Sequence, residues 1–363
     1  MDMESVKKYI DGLVESKGLP YIDVCAWQEH KPVFRHAYSV EGAVTGQESL
    51  FLYSASKPMT VVCGMRLVEE GKLSLDDPVS KYVPAYARAY TAKGALKQPM
   101  LVRHLFTMTA GLSYDVGSPA TRALQEKNPL AGTLDFVNTF VENPLDFEPG
   151  ERFQYSLCHD VLGAVIEVAS GKRFAEYMRE TIFAPLGMNN TDFHLEETRE
   201  MERQYLAGAD GSITEMAREN FLVLGKNYDS GGAGVCGCVN DYIRFADALA
   251  CGGVAENGHR ILQKETLNTL CGAGVGGISL QNSFTCVQGN EYGYGLGVRV
   301  RTKDTDWGLQ KGEFGWDGAA GTYLMVDPAR QISVVIGMHV RAWPNVFAGE
   351  HLGIVRQIYE KII

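Results

Sequence analysis

Ser54-Ala55-Ser56-Lys57 places a hydroxyl and an amine three residues apart. On a helix that spacing puts both side chains on one face, a single turn from each other. The run that follows, from Pro58 to Glu70, reads as a mostly apolar helix stopped at Gly71, where a left-handed residue is cheapest. Pro58 fits near the start of that helix, because the first backbone N–H groups have no intrahelical acceptor. Ser54 is therefore expected at a helix N-terminus, where the dipole favours an alkoxide and disfavours an ammonium. The chemistry this suits is nucleophilic attack by serine with lysine as base. S-x-x-K is short enough to arise by chance, so the rest of the chain must supply the partners.

Two other segments offer them. Tyr155 precedes Ser156-Leu157-Cys158-His159-Asp160, which opens a helix running to Ser170-Gly171. A phenol just before a helix can turn its hydroxyl toward the positive end of the dipole, which favours the phenolate. Near the other end, Gly315-Trp316-Asp317-Gly318-Ala319-Ala320-Gly321 leads into a strand, and glycines there let a ligand or another backbone come close. A strand edge of this kind could lend an N–H to a developing oxyanion. Other signals are weaker. G-x-G-x-x-G occurs at 232–237 and 272–277, but neither lies in a strand-to-helix unit that binds dinucleotides. No G-x-S-x-G is present, which removes the nucleophile elbow of α/β-hydrolases. A Ser-His-Asp triad through His159 and Asp160 ranks below the lysine on Ser54's own helix, and a supporting role for Asp160 is expected instead.

The elements that must hold these residues can be read from periodicity. Residues 2–17 form a helix with Val6, Ile10, Leu13 and Val14 on one side, stopped by Gly18. Tyr21–Trp27 and Val33–Ser39 read as strands joined through a turn at 28–32, and Leu50–Tyr53 as a short strand delivering Ser54. Tyr294–Arg301, Lys311–Trp316, Thr322–Val326 and Ile332–Val340 read as antiparallel strands, followed by a helix carrying Leu352, Val355, Ile358, Tyr359 and Ile362. Helical and loop patterns dominate from 84 to 245. The expectation is an α/β fold of the α+β type. Residues 1–83 and 246–363 form an antiparallel sheet flanked by terminal helices, and residues 84–245 form an inserted, mostly α-helical region.

Composition narrows the class further. With 363 residues, 45% apolar and 21% charged, the chain can bury a large core. A formal charge of −10 argues against nucleic acid or an anionic membrane as partner. The N-terminal residues enter an amphipathic helix without a basic and apolar leader, and no apolar run approaches the ~18–20 residues of a bilayer span. A cytoplasmic protein is expected. The eight cysteines are scattered through apolar segments and the eight histidines form no H-x-x-x-H pair. Free buried thiols are therefore expected, with no metal and no organic cofactor.

Ser54-x-x-Lys57, then Tyr155-Ser156 opening a helix, then Trp316-x-Gly318 in a strand resembles the serine β-lactamase/penicillin-binding-protein family. Within it, the chain looks most like the class C β-lactamase-type (family VIII) carboxylesterases. Leu67–Val79, Val102–Leu112, Pro185-Leu186-Gly187-Met188, Gly231-Gly232-Ala233-Gly234 and Tyr292–Gly297 match the same family in order. The resemblance implies that Ser54 is acylated, with Lys57 and Tyr155 sharing its proton. It implies an oxyanion hole from the backbone N–H groups of Ser54 and Ala319, and a substrate pocket lined by Trp316, Gly318 and Tyr114. Leu157 stands where β-lactamases and peptidases carry an asparagine, and Trp316 where many carry a lysine or histidine. Losing that amide and that cation removes two polar anchors for a β-lactam or a peptide terminus. The expected substrate is a small, uncharged carboxylic ester. A D-amino-acid-type peptidase or amidase, a weak β-lactamase or a non-catalytic binding homologue are the alternatives. Acyl-chain preference would depend on loops 112–135 and 272–290, and the sequence assigns no oligomeric state.

Overall fold

The computed structural model describes residues 3–40, 42–272, 291–343 and 349–363. Its centre is a seven-stranded antiparallel sheet built from both ends of the chain. The strands are β1 (Tyr21–Gln28), β2 (Lys31–Ser39), β3 (Tyr292–Tyr294), β4 (Arg299–Arg301), β5 (Phe314–Asp317), β6 (Tyr323–Asp327) and β7 (Ile332–Gly337). Their spatial order is β3-β4-β5-β6-β7-β1-β2, so β7 pairs with β1, with Asp23 opposite Gly337.

Alternation along the strands builds two cores. Ile22, Val24, Ala26, Val334 and Ile336 face α1 (Glu4–Lys17) and a C-terminal helix, His351–Ile362, whose Ile354, Val355 and Ile358 join the same cluster. Cys25, Leu324, Val326 and Val335 point the other way, into a larger core shared with Val239–Ala250 and the helices of the middle region. Two helices matter for the site: α2 (Lys57–Glu69) and α3 (Cys158–Ser170), which pack against each other. α3 ends at Gly171 in the left-handed conformation, as its sequence predicts.

Several local expectations change. Tyr294–Arg301 is not one strand but the two sides of a hairpin, closed where Gly295 N–H donates to the Val298 carbonyl at 2.8 Å. Leu50–Tyr53 is extended only at Leu50–Phe51, because Tyr53 adopts φ +48° and starts a 3₁₀ turn through Ser56. The middle region also carries short strands. Gln204–Ala207 pairs with Ile213–Met216 and, in parallel, with Val340–Arg341 from beyond the large sheet. Among the described residues no helix is long and apolar enough to cross a membrane. Cys25, Cys63, Cys158, Cys236 and Cys238 are buried free thiols, whereas Cys251 and Cys271 are partly exposed. Cys286, the second G-x-G-x-x-G and nearly all of loop 272–290 lie outside the described residues.

Three fully buried imidazoles are held in the neutral form. Burial pushes His159 and His351 down to about 3 and His339 to about 4. His339 also accepts the Phe51 N–H at Nε2, at 3.3 Å, which a proton there would prevent. In the unfolded chain these groups titrate near the ordinary histidine value, so between about pH 6.5 and 4 the unfolded state binds more protons. Stability is therefore fully present above that window and falls as pH drops through it. At pH 5 the expected loss is about 2 kcal/mol per histidine. Melting curves at pH 7 and 5 should show it. His351→Phe should flatten the slope, and an unchanged slope would contradict a neutral buried imidazole there.

Candidate active site

Ser54 stands in the 3₁₀ turn Tyr53–Ser56, which runs straight into α2 at Lys57, with Pro58 in the helix's first turn. The helix-start expectation for Ser54 therefore holds with one refinement: the hydroxyl sits in the tighter turn just before the α-helix. Four hydrogen bonds fix this turn. Ala55 N–H donates to the Leu52 carbonyl at 3.1 Å, and Tyr242 hydroxyl donates to the Ala55 carbonyl at 2.7 Å. Val235 N–H reaches Ser56 Oγ at 3.0 Å and Leu52 N–H the Val235 carbonyl at 3.1 Å. The serine's neighbours are thus held by a strand segment, Val235–Gly237, and by a helix that lies across the sheet.

Three sequence-predicted residues converge on one oxygen. Lys57 Nζ donates to Ser54 Oγ at 3.1 Å, and Tyr155 hydroxyl donates to the same Oγ at 2.7 Å. Lys57 is fully buried, and a further hydrogen bond, 2.7 Å to the Gly232 carbonyl, aims the amine at the serine. Lys57 Nζ also lies 4.7 Å from the centre of the Tyr155 ring, so the amine and the phenol are packed against each other. Ser54 itself keeps 8% of its surface exposed, so a small electrophile can reach it.

The segment that receives Lys57 is held in turn by Asp160, in the first turn of α3. Its buried Oδ1 accepts from Tyr228 hydroxyl at 2.7 Å, Ser230 Oγ at 2.6 Å and Gly232 N–H at 3.4 Å. Thr60 Oγ1, one turn beyond Ser56, donates to the Gly231 carbonyl at 2.7 Å. Gly231 has no room for a side chain: a Cβ would sit 2.2 Å from the His159 carbonyl oxygen. So α2, α3 and residues 228–235 form one braced unit around the amine. The supporting role expected of Asp160 is what the contacts give. His159 is buried with neither ring nitrogen hydrogen-bonded among the described residues, so no Ser-His-Asp triad forms.

Aromatic rings complete the surroundings. Tyr155 is stacked between Tyr114 at 5.5 Å and Trp316 at 5.7 Å between ring centres. Trp316 Nε1 donates to Tyr155 hydroxyl at 3.4 Å and its ring meets Tyr294 edge-on at 5.2 Å. Trp316 is completely buried, however, so it backs the tyrosine instead of presenting a face to an open pocket. Its surface is already spent on two phenol rings. Tyr114 is half-buried and does stand at the site, where burial pushes its phenol upward and the Ser54 and Tyr155 hydroxyls pull it back.

The strand end after Trp316 makes a tight turn, with Gly318 N–H donating to the Thr322 carbonyl at 2.7 Å and Gly321 N–H to that of Gly318 at 2.9 Å. A Cβ on Gly318 would lie 2.3 Å from the Leu52 carbonyl oxygen, so the turn packs directly on the segment leading to Ser54. Ala319 sits exposed at its tip. A buried ion pair, Arg299 Nη1 to Asp317 Oδ1 at 2.6 Å, ties the start of this turn to β4. Tyr294, Tyr242, Thr60 and Tyr228 escaped the sequence reading. Only Gly231-Gly232-Ala233-Gly234 carried a signal for the segment that Lys57 and Thr60 require.

The model of the Beta-lactamase family matches residues 6–352. The chain belongs to this family. With it comes membership of the serine hydrolases built on this fold. Among curated relatives, Esterase EstB of Burkholderia gladioli is 28% identical over 319 residues, covering 80% of this chain and 77% of its own. The solved structure of EstCE1, described as a hydrolase with promiscuous acyltransferase activity, superposes with a TM-score of 0.80 at 24% identity over 98% of this chain and 97% of that one. A D-stereospecific amidohydrolase from Streptomyces gives 0.73 at 21% identity and 98% coverage of both chains. The latter two likenesses establish the fold that the sequence resemblance implied.

The brace around Gly231 gives a direct expectation. Gly231→Ala should cost about 1–3 kcal/mol through the forced shift of α3 against residues 228–235. Thermal unfolding followed by circular dichroism reads this, and a variant as stable as the parent would mean the close packing is not there.

Proposed function

We propose that the protein hydrolyses small carboxylic esters through an acyl-enzyme on Ser54. The observation that carries this reading is the double hold on Ser54 Oγ, by Lys57 Nζ at 3.1 Å and Tyr155 hydroxyl at 2.7 Å. In the first step Ser54 Oγ bonds to the ester carbonyl carbon while its proton passes to the Lys57/Tyr155 pair. The carbonyl oxygen gains the negative charge between the backbone N–H groups of Ser54 and Ala319. The C–O bond to the alcohol then breaks, and the pair returns the proton to the leaving oxygen. Water loses a proton to the same pair, attacks the acyl carbon and releases the acid, and Ser54 recovers its hydrogen.

Substrate class follows from what flanks the pair. Leu157 and Trp316 are both buried and offer neither an amide nor a cation to a substrate carboxylate. Tyr114 contributes a phenol face at the entrance. Uncharged, short esters fit these surroundings, and the name of the EstB relative supports the same class.

Ser54→Ala should lose covalent labelling by a fluorophosphonate probe, read by intact mass. Lys57→Ala and Tyr155→Phe should each lower kcat on a nitrophenyl ester by about 10²- to 10⁴-fold with little change in KM. Nitrocefin or a D-alanyl amide turned over faster than the ester would sink the ester assignment. Undiminished labelling of Ser54→Ala would sink the nucleophile.

A further inference from the structure

On the far side of the helix Val239–Ala250, three side chains of metal-binding type meet without belonging to the site above. Asp247 lies in that helix's last turn and Cys251 directly follows it, so the two share a face. His30 comes from the β1–β2 turn, 217 residues away in sequence from Asp247, in a left-handed conformation with φ +65°. One ligand atom from each of the three lies within 4.8 Å of the others. His30 Nδ1 is 2.7 Å from Asp247 Oδ2, its backbone N–H donates to Oδ1 at 3.2 Å, and Cys251 Sγ lies 3.8 Å from that same oxygen.

We propose that His30, Asp247 and Cys251 form a zinc-type divalent-metal site that pins the β1–β2 turn to the end of this helix. The donor set is the first reason. Nitrogen, sulfur and carboxylate oxygen together suit a borderline ion such as Zn²⁺ and do not suit Mg²⁺ or Ca²⁺, which want oxygen alone. Charge is the second. Asp247 is 1% exposed, and its only ion-pair partner among the described residues is the His30 imidazole. Arg260, which reaches the same end of the helix, spends its guanidinium on the Gly252 and Leu262 carbonyls. A helix C-terminus carries the negative end of the dipole, so a cation is favoured there as well. A bound cation takes Cys251 as the thiolate, and the thiol proton is released to solvent.

His30 and Cys251 are both partly exposed, which leaves an entry path and room for water as a fourth ligand. The consequence reaches the nucleophile through Tyr242, on the same helix, whose hydroxyl holds the Ala55 carbonyl. Nothing in the sequence signals this site, because its ligands have no motif spacing. Only the pairing of β1 with β2 and the packing of the helix on the sheet bring them together.

The test uses the full chain freed of metal by chelation. Zn²⁺ should bind at one equivalent per chain by calorimetry and raise the melting temperature. Co²⁺ should give a thiolate-to-metal charge-transfer band in the near ultraviolet. Cys251→Ser should abolish that band, and both Cys251→Ser and His30→Asn should weaken Zn²⁺ binding at least about tenfold. Asn tolerates the left-handed backbone at position 30, so this variant keeps the turn and decides the matter if Cys251→Ser misfolds. No stoichiometric uptake, uptake unchanged in His30→Asn, or displacement of Zn²⁺ by equimolar Mg²⁺ would each overturn the proposal.

Discussion

The burial of one lysine organises this molecule. An amine taken wholly out of water must find acceptors of fixed position, or its desolvation is uncompensated. Lys57 has two in view, the Ser54 oxygen and the Gly232 carbonyl, and they lie on opposite sides of it in the chain's layout. Holding the carbonyl in place requires Asp160, which collects two hydroxyls and an amide N–H from residues 228–232. Asp160 in turn belongs to the helix that Tyr155 precedes. The serine, its two proton partners and the braces behind them are therefore a single hydrogen-bonded object, not four residues that happen to meet.

That object explains why so much neighbouring sequence is small or aromatic. Residues 231 and 232 pass so close to α3 that any side chain at 231 meets a carbonyl. On the opposite side flat rings fill the space at stacking distance, so Tyr155 has few ways to turn. Restricting the phenol costs conformational entropy once, on folding, and spares it during each catalytic cycle.

How much of this could be read in the chain beforehand depends on the kind of interaction. Ser54 and Lys57 are local, three residues apart on one helical face, and the spacing alone places them together. Tyr155 and the Trp316-Asp317-Gly318 strand were legible through family resemblance, since nothing in the long stretches between them and Ser54 measures their distance from it. The orientation of Trp316 was not legible: an indole can line a cleft or back another ring, and only the packing of Tyr294 against it decides. The Tyr294–Arg301 hairpin was missed because its apolar and β-forming residues run on without a polar break, although the chain reverses at 295–298. Thr60, Tyr228 and Tyr242 act through single hydrogen bonds to backbone carbonyls or to Asp160, and such bonds leave no pattern in sequence.

The pairing of β1 with β7 has a consequence for the order of assembly. β1 and β2 form a hairpin near the start of the chain, yet the free edge of β1 is covered only by a strand that follows the entire helical region. During synthesis that edge waits, with its N–H and C=O groups open to any other extended segment. Val340–Arg341, which pairs with Gln204–Ala207, arrives just after β7 and fastens the middle region to the end of the sheet. Closure of the sheet and locking of the inserted region thus come as nearly one event, late and long-range, and a ribosome-bound chain short of β7 has Ser54 and Lys57 but no finished wall behind them.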